Sequence, residues 1–129
     1  MLQRFIELGN GYSDLYELLE IAKRNDDRIL AIIQLNTVIE SREKTSLAVV
    51  LKPAKEGKFL PIYICLEGIP NPEVTPNERF RLFQSLSEEL AIPIQSLDVK
   101  PSETFNEKAL YYQYLIGILR LSRILPPLG

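Results

Sequence analysis

The stretch that decides the fold is Leu60-Pro61-Ile62-Tyr63-Ile64-Cys65-Leu66, which carries no charged or amide side chain. It lies inside a longer segment of β composition, residues 58–67. Successive side chains of a strand point to opposite faces of the sheet, so a strand that is apolar at nearly every position is covered on both faces. We therefore predict a central strand here.

Two segments upstream have the same β composition, residues 29–35 and residues 46–51. Polar stretches at 40–44 and 53–57 separate these segments from each other and from the central strand. Connections of this length are typical of hairpins, so the three segments are predicted to form an antiparallel meander.

The chain before the meander predicts a short strand at residues 3–8 and a helix. Gly9-Asn10-Gly11 between them is suited to positive φ and hence to a tight turn. Ser13 offers an oxygen that could cap the helix, and Asn25-Asp26-Asp27 ends it. The apolar residues that recur at helical spacing are Leu15, Leu18, Leu19 and Ala22.

A second helix is predicted after the proline-containing stretch 68–76. Thr75 is its expected cap, with Pro76 at the first helical position and Glu78 at the third. The expected buried stripe is Phe80, Phe83, Leu86 and Leu90, and the expected exposed face is Arg79, Ser87, Glu88 and Glu89.

A fifth strand is predicted at residues 94–99, followed by a third helix. Thr104 and Glu107 form a capping-box pattern, and the helix should run toward Leu121 or Arg123. The order is then strand, helix, three strands, helix, strand, helix. We predict one α+β domain over residues 1–129, with helices on the faces of a mixed, mostly antiparallel five-stranded sheet. The helix between the fourth and fifth strands would make that pair parallel through a right-handed crossover.

Composition limits the chemistry that the chain can perform. Its 129 residues include no histidine and one cysteine, Cys65, which excludes Ser-His-Asp and Cys-His nucleophiles and zinc or copper sites built from these residues. We predict no catalytic residue, no metal ligand and no cofactor. A net charge of −2 gives no whole-molecule field that attracts nucleic acid, so nucleic acid is not the expected partner. The short apolar runs and the start of the chain predict no membrane span and no signal peptide. We expect a cytoplasmic protein.

Several residues are candidates for a ligand pocket. The Gly9-Asn10-Gly11 turn precedes a helix N-terminus, where backbone N–H groups bind anions. Strand ends next to the proline stretch often carry function. The candidate pocket residues are Gly9, Asn10, Gly11, Ser13, Glu67, Asp98 and Lys100. The alternative is a turn with a helix cap, and ordinary charged strand ends.

The third helix is apolar on nearly all sides beyond Leu110. Such a helix either lies centrally or packs partly against another subunit, because exposed apolar patches mark contact surfaces. The candidate interface residues are Tyr111, Tyr112, Tyr114, Leu115, Ile118 and Leu119. We expect a homo-oligomer, with a homodimer the leading form, or another protein partner.

The element order over residues 14–99 is similar to the core of the PD-(D/E)xK nuclease family, which holds magnesium through carboxylates and an acid-x-lysine. Here Val50-Leu51-Lys52 has the lysine without the acid, and Asn36 stands near the end of the preceding strand. The metal ligands of an active nuclease are therefore missing. A degenerate nuclease fold that binds nucleic acid stands as a second alternative, and it predicts a local basic face from Lys52, Lys55, Lys58 and Lys100.

The chain also resembles a small uncharacterised protein family of Bacillus-type bacteria, some members of which carry a methylthioribose kinase label. The residues that carry this resemblance are 5–18, 62–70 and 111–120. The family implies no activity, and a kinase of that class needs a catalytic loop and a second lobe that this chain does not have. The leading hypothesis is therefore a non-catalytic binding or regulatory module that acts through protein contact and homodimerisation. A small-ligand or anion pocket, catalytic or not, is the alternative.

Overall fold

The computed structural model describes residues 2–54, 57 and 59–126, which form five strands and three α-helices. Two short 3₁₀ turns, Asp26–Arg28 and Ser102–Thr104, connect them. The elements are β1 Leu2–Leu8, α1 Tyr12–Arg24, β2 Ile29–Ile39, β3 Arg42–Leu51, β4 Phe59–Pro70, α2 Glu78–Leu90, β5 Ile94–Asp98 and α3 Lys108–Leu121. The predicted order of strands and helices is confirmed.

The strands form one mixed sheet in the order β1-β4-β3-β2-β5. The pairs β2–β3 and β3–β4 are antiparallel, which confirms the meander, and the pairs β1–β4 and β2–β5 are parallel. The predicted single α+β domain with a mixed five-stranded sheet is thus confirmed.

The predicted pairing of the fourth and fifth strands is wrong. Both edges of β4 are already paired, one with β1 and the other with β3. After α2 the chain therefore continues past β3 and β2 and adds β5 at the open edge of β2. β5 still runs parallel to β4, but two strands separate them.

Helices cover both faces of the sheet, as the composition of β4 requires. On one face α1 and α2 pack against Cys65 and Ile69 of β4. On the other face α3 packs against Ile62 and Ile64. The alternation of β4 side chains between two separate cores confirms that it is an inner strand covered on both faces.

A β-bulge interrupts β4 near its end. Thr45 pairs with Ile69 and Leu47 pairs with Cys65, so three residues of β4 face Ser46 alone. Glu67, in the bulge, has a φ of 46° and donates its backbone N–H to Ser46 Oγ at 2.7 Å. A bulge bends the strand and re-aims a side chain, and here the side chain is that of Glu67.

The first helix begins before the predicted cap. Gly11 is the N-cap, and its N–H donates to Asp14 Oδ2 at 3.0 Å, so Asp14 rather than Ser13 satisfies the end of α1. The expectation of a positive φ in the Gly9-Asn10-Gly11 turn is also wrong, since none of the three has one. Gly9 is required for space: a Cβ at this position would lie 2.2 Å from Asp14 Oδ2.

The second helix begins after the predicted cap. Asn77 is the N-cap, and its Oδ1 accepts the Phe80 N–H at 2.9 Å, while its Nδ2 donates to the Pro70 and Thr75 carbonyls. Asn77 and not Thr75 is the N-cap because the Asn77 amide both caps the helix and hydrogen-bonds to the preceding loop. Ser87, predicted to be exposed, is buried and donates its hydroxyl to the Ile92 carbonyl.

The third helix begins at Lys108 with Glu107 as N-cap, so the predicted capping box of Thr104 and Glu107 is wrong. Thr104 instead ends the 3₁₀ turn Ser102–Thr104. The Glu67 carboxylate holds this turn by accepting from both the N–H and the hydroxyl of Ser102. The predicted helix end at Leu121 is confirmed.

Substituting Gly9 tests the close contact with Asp14. The Cβ of Gly9→Ala displaces the Asp14 carboxylate and removes the cap, so we expect a loss of about 1 kcal/mol in the free energy of unfolding, measured with urea. Asp14→Ala should cost a similar amount, and the double variant little more than either single one. As a control, Gly117→Ala meets no described atom of its own chain within 4 Å and should stabilise the helix by about 1 kcal/mol at a protein concentration that keeps the chain monomeric. Additive losses at Gly9 and Asp14 would contradict this account.

Candidate functional site

The predicted pocket segments lie at one end of the sheet. β1, β2, β4 and β5 all run in the same direction, so their carboxyl ends lie together at this end. Gly9 to Ser13 and Lys100 follow these strands, Asp98 ends β5, and Glu67 lies three residues before the end of β4. They are divided between the two faces, however, because α1 covers one face and the turn before α3 lies against the other.

The Gly9-Asn10-Gly11 turn is closed by its own neighbours. Asp14 takes the Gly11 N–H, and Arg79 Nη1 donates to the Asn10 carbonyl at 2.7 Å. The cavity between this turn and Gly68 measures about 10 Å³, which is at most the space of one water molecule. Ser13 is exposed in the first turn of α1. The geometry is that of a turn with a helix cap, and the cavity behind it is too small to hold a phosphate.

Glu67 meets the segment that follows β5, but through Ser102 and not through Asp98 or Lys100. Its negative charge lies near Tyr111, whose pKa is raised by burial first and then by Glu67 and Tyr114. Tyr111 is fully buried, and its hydroxyl has no hydrogen-bond partner among residues 2–54, 57 and 59–126. The link between Glu67 and Ser102 therefore joins β4 to the start of the α3 layer.

Asp98 and Lys100 have separate surroundings. Asp98 stands opposite Asn36 in the β2–β5 register and borders a groove of about 360 Å³. The Lys100 N–H donates to the Tyr114 hydroxyl at 3.0 Å, and its ammonium lies 6.0 Å from the centre of that ring. The candidate pocket residues thus lie at the same end of the sheet, but they do not line one common cleft.

The lysines of the nuclease resemblance do not form one basic face in the part of the chain that the structure describes. Lys52 follows β3 at the end of the sheet where β2 begins, and Lys100 follows β5 at the opposite end. Lys55 and Lys58 lie outside the described residues. Asn36, at the position considered for a metal ligand, is an amide in a buried hydrogen-bond network.

A cleft that the sequence did not predict lies between α2, the loop before it and the sheet. It measures about 610 Å³ and is lined by Gln34, Pro72, Glu73, Pro76, Asn77, Phe80, Arg81, Gln84, Ser87, Glu88 and Ile94. Phe80, Ile94 and the prolines make apolar walls, and the charged groups lie on exposed helix and loop positions. A mixed lining of this kind suits a small polar ligand with an apolar part.

One buried amide, Gln34, lines this cleft and is linked to a second, Asn36, beside it. Gln34 is only 5% exposed, and its Nε2 donates to Asn36 Oδ1 at 3.1 Å. The same oxygen accepts from Thr45 Oγ1 at 2.8 Å, and Asn36 Nδ2 donates to Ser96 Oγ at 2.8 Å. The sequence signal was the pair of amides, Gln34 and Asn36, in an otherwise apolar strand.

Three of the six candidate interface residues belong to the core of the single chain. Tyr111, Leu115 and Leu119 form the inner face of α3 and are fully buried, so they present no surface to a partner. Their assignment to an interface is therefore wrong. They match the other possibility given for α3, in which the helix packs inside its own chain. Tyr112, Tyr114 and Ile118 flank the buried row and are half-buried.

One flank of α3 is tied to the edge strand β1. The ring of Tyr112 stacks on Phe5 with centroids 4.3 Å apart, and its hydroxyl donates to Glu7 Oε1 at 2.6 Å. Lys108 Nζ lies 2.9 Å from the same oxygen. Burial alone would raise the pKa of Glu7, but these hydrogen bonds and the charge of Lys108 outweigh burial and lower it.

No other part of the described chain covers the outer face of α3. We define it as Leu110, Gln113, Gly117 and Leu121, which recur at helical spacing opposite the buried row. Leu110 is 46% exposed and Leu121 is 83% exposed. Residues 109–119 contain no charged side chain.

Within the described ranges, no three His, Cys, Asp or Glu residues are grouped so that they could hold a metal ion. Among the helices of that same part of the chain, none is long and apolar enough to cross a bilayer.

Comparison with known proteins places the chain in a family without assigning an activity. No curated protein and no solved structure matches it. Residues 1–125 match the family described as a domain of unknown function, DUF7147. The match covers nearly all of the 129 residues, in keeping with the expected small uncharacterised family. The chain therefore belongs to the DUF7147 family.

Proposed function

We propose that this protein is a cytoplasmic, non-catalytic binding module that acts through protein contact, and that it forms a homodimer through the outer face of α3. The observation that carries the proposal is the exposure of Leu110 and Leu121 on a helix face with no charged residue between 109 and 119. The free, buried Cys65 suits a reducing compartment, because the fold contains no disulfide in its described part.

The apolar side chains on the outer face of α3 are exposed to water. A soluble helix that packs on a sheet buries one stripe and usually presents charged side chains to solvent. In α3 the buried stripe is complete with Tyr111, Leu115 and Leu119, yet the opposite side is uncharged for three turns. Removing this apolar surface from water would favour association by roughly 25 cal/mol per Å² of buried area, before the cost of association is subtracted.

Lysine substitutions on the outer face test this proposal. We expect the wild-type mass measured by light scattering to rise toward that of a dimer with concentration, and Leu110→Lys/Leu121→Lys to remain monomeric because each lysine would have to be desolvated. Tyr16→Lys/Val74→Lys is the matched control, since both residues are exposed and apolar elsewhere and the change in charge is equal. A monomeric wild type, or a lysine variant that still associates, would refute the proposed surface.

A second candidate function is the binding of a small polar molecule in the cleft that Gln34 helps to line. The observation that favours it is the burial of this amide at a cleft wall, where only its Nε2 is engaged by another described residue. A buried amide that keeps hydrogen-bonding capacity toward a cleft is suited to orient a ligand.

Thermal-shift measurements with a panel of small amides, amines and amino acids test the cleft. A ligand that binds only the folded state raises the melting temperature. We expect such a shift for one class of compound, its loss in Gln34→Met, and its retention in Gln95→Met, which alters an exposed strand position. No shift with any compound, or an equal shift in both variants, would count against the cleft.

A further inference from the structure

We propose that the second copy packs antiparallel on the outer face of α3, about a two-fold axis near the middle of the helix between Gln113 and Gly117. The dimer would then carry two copies of the cleft, one on each side facing away from the partner, because the cleft lies on the α2 face of the sheet and α3 covers the other face. This inference rests on the proposed contact through α3 and specifies its geometry.

Charge at the two ends of α3 favours the antiparallel orientation. Glu103 and Glu107 are exposed at its N-terminal end, where Lys108 is already paired with Glu7. Arg123 is exposed at the C-terminal end, and residues 108–126 contain no acidic side chain. Antiparallel pairing brings the acidic end of each helix to the basic end of the other, whereas parallel pairing places like charges together.

Lys100 is the second cation at the N-terminal end, and its ammonium lies against the Tyr114 ring. Two glutamates against this one lysine leave one net negative charge there. The helix dipole has the opposite sign to the side-chain charge at each end, but its partial charge of about one half is too small to reverse the charge of either end.

The shape of the outer face also fits a second helix. A Cβ added to Gly117 would meet no atom within 4 Å, so packing among residues 2–54, 57 and 59–126 does not require this glycine. A glycine in the middle of a helix weakens it, but lets a second helix backbone or a large side chain approach closely. In an antiparallel pair about this axis, Gln113 of each copy lies opposite Gly117 of the other, and Leu110 of each copy lies beside Leu121 of the other.

A two-fold arrangement closes on itself. The same surface serves both partners, so the contact is satisfied in a dimer and leaves no free copy of the outer face for further growth. Head-to-tail packing of the same face against another part of the chain would instead continue into larger assemblies.

Cross-linking of single cysteines tests the orientation. The native Cys65 is buried, and burial first, then Asp14 and Glu17, raise its pKa to about 12, so it reacts slowly with maleimides. Three single-cysteine variants are prepared: Gln113→Cys, Leu110→Cys and Leu121→Cys. Each is treated alone with a short bismaleimide, and a mixture of Leu110→Cys and Leu121→Cys is treated in the same way. Wild-type protein gives the background.

Antiparallel packing predicts that Gln113→Cys cross-links to itself and that Leu110→Cys cross-links to Leu121→Cys in the mixture. Neither leucine variant should cross-link to itself efficiently, because each pair would lie roughly 15 Å or more apart along the helices at a rise of 1.5 Å per residue. Self-cross-linking at 110 and 121 without the mixed product would show parallel packing and overturn this inference, while the proposed contact through α3 would stand.

Charge reversal gives a second readout. Glu107→Arg and Arg123→Glu should each weaken dimer formation several-fold at low salt, and the double variant should regain it, because the opposite ends remain complementary after the exchange. A double variant that is weaker than both single variants would overturn the antiparallel pairing. Association that survives Leu110→Lys/Leu121→Lys would instead refute the contact surface itself.

Discussion

The apolar side chains on both faces of β4 are the constraint on which the rest of the structure depends. Ile62 and Ile64 enter one core while Cys65 and Ile69 enter the other, so both faces of the sheet need helices. β1 and β3 occupy its two edges, which sends β5 to the far side of β2. On the way α2 packs beside α1 over the same face of the sheet. The position of one strand thereby determines the sheet order and the cover of each face.

Most of the fold was predictable because its signals are local or periodic. Composition identified β2, β3 and β4, and short polar connections made them a meander. The helix starts were not predictable, because several residues compete as caps and tertiary contacts choose among them: Asp14 over Ser13, and Asn77 over Thr75. The neighbour of β5 also depends on which strand edge remains open, and no local pattern records that.

The candidate site was less predictable than the fold. The topology puts Glu67 and Asp98 at the same end of the sheet, but the bulge at Glu67 directs its carboxylate to Ser102 and not to Asp98. The cleft depends on how far α2 stands from the sheet, which sequence periodicity does not report. Gln34 and Asn36 were visible only as polar interruptions of a strand, and their network became apparent when Thr45 and Ser96 came next to them.

The outer face of α3 is not needed by the single chain. Its inner row fills the core, its flank is fixed to β1 through Glu7, and Ile124 and Leu125 help to cover that face of the sheet after the helix ends. Charged residues on the outer face would cost the monomer nothing, and an alanine in place of Gly117 would strengthen the helix by about 1 kcal/mol. The monomer alone therefore gives no reason for an uncharged face with a glycine at its centre. A second helix seated on that face supplies one, because it needs both the apolar surface and the space.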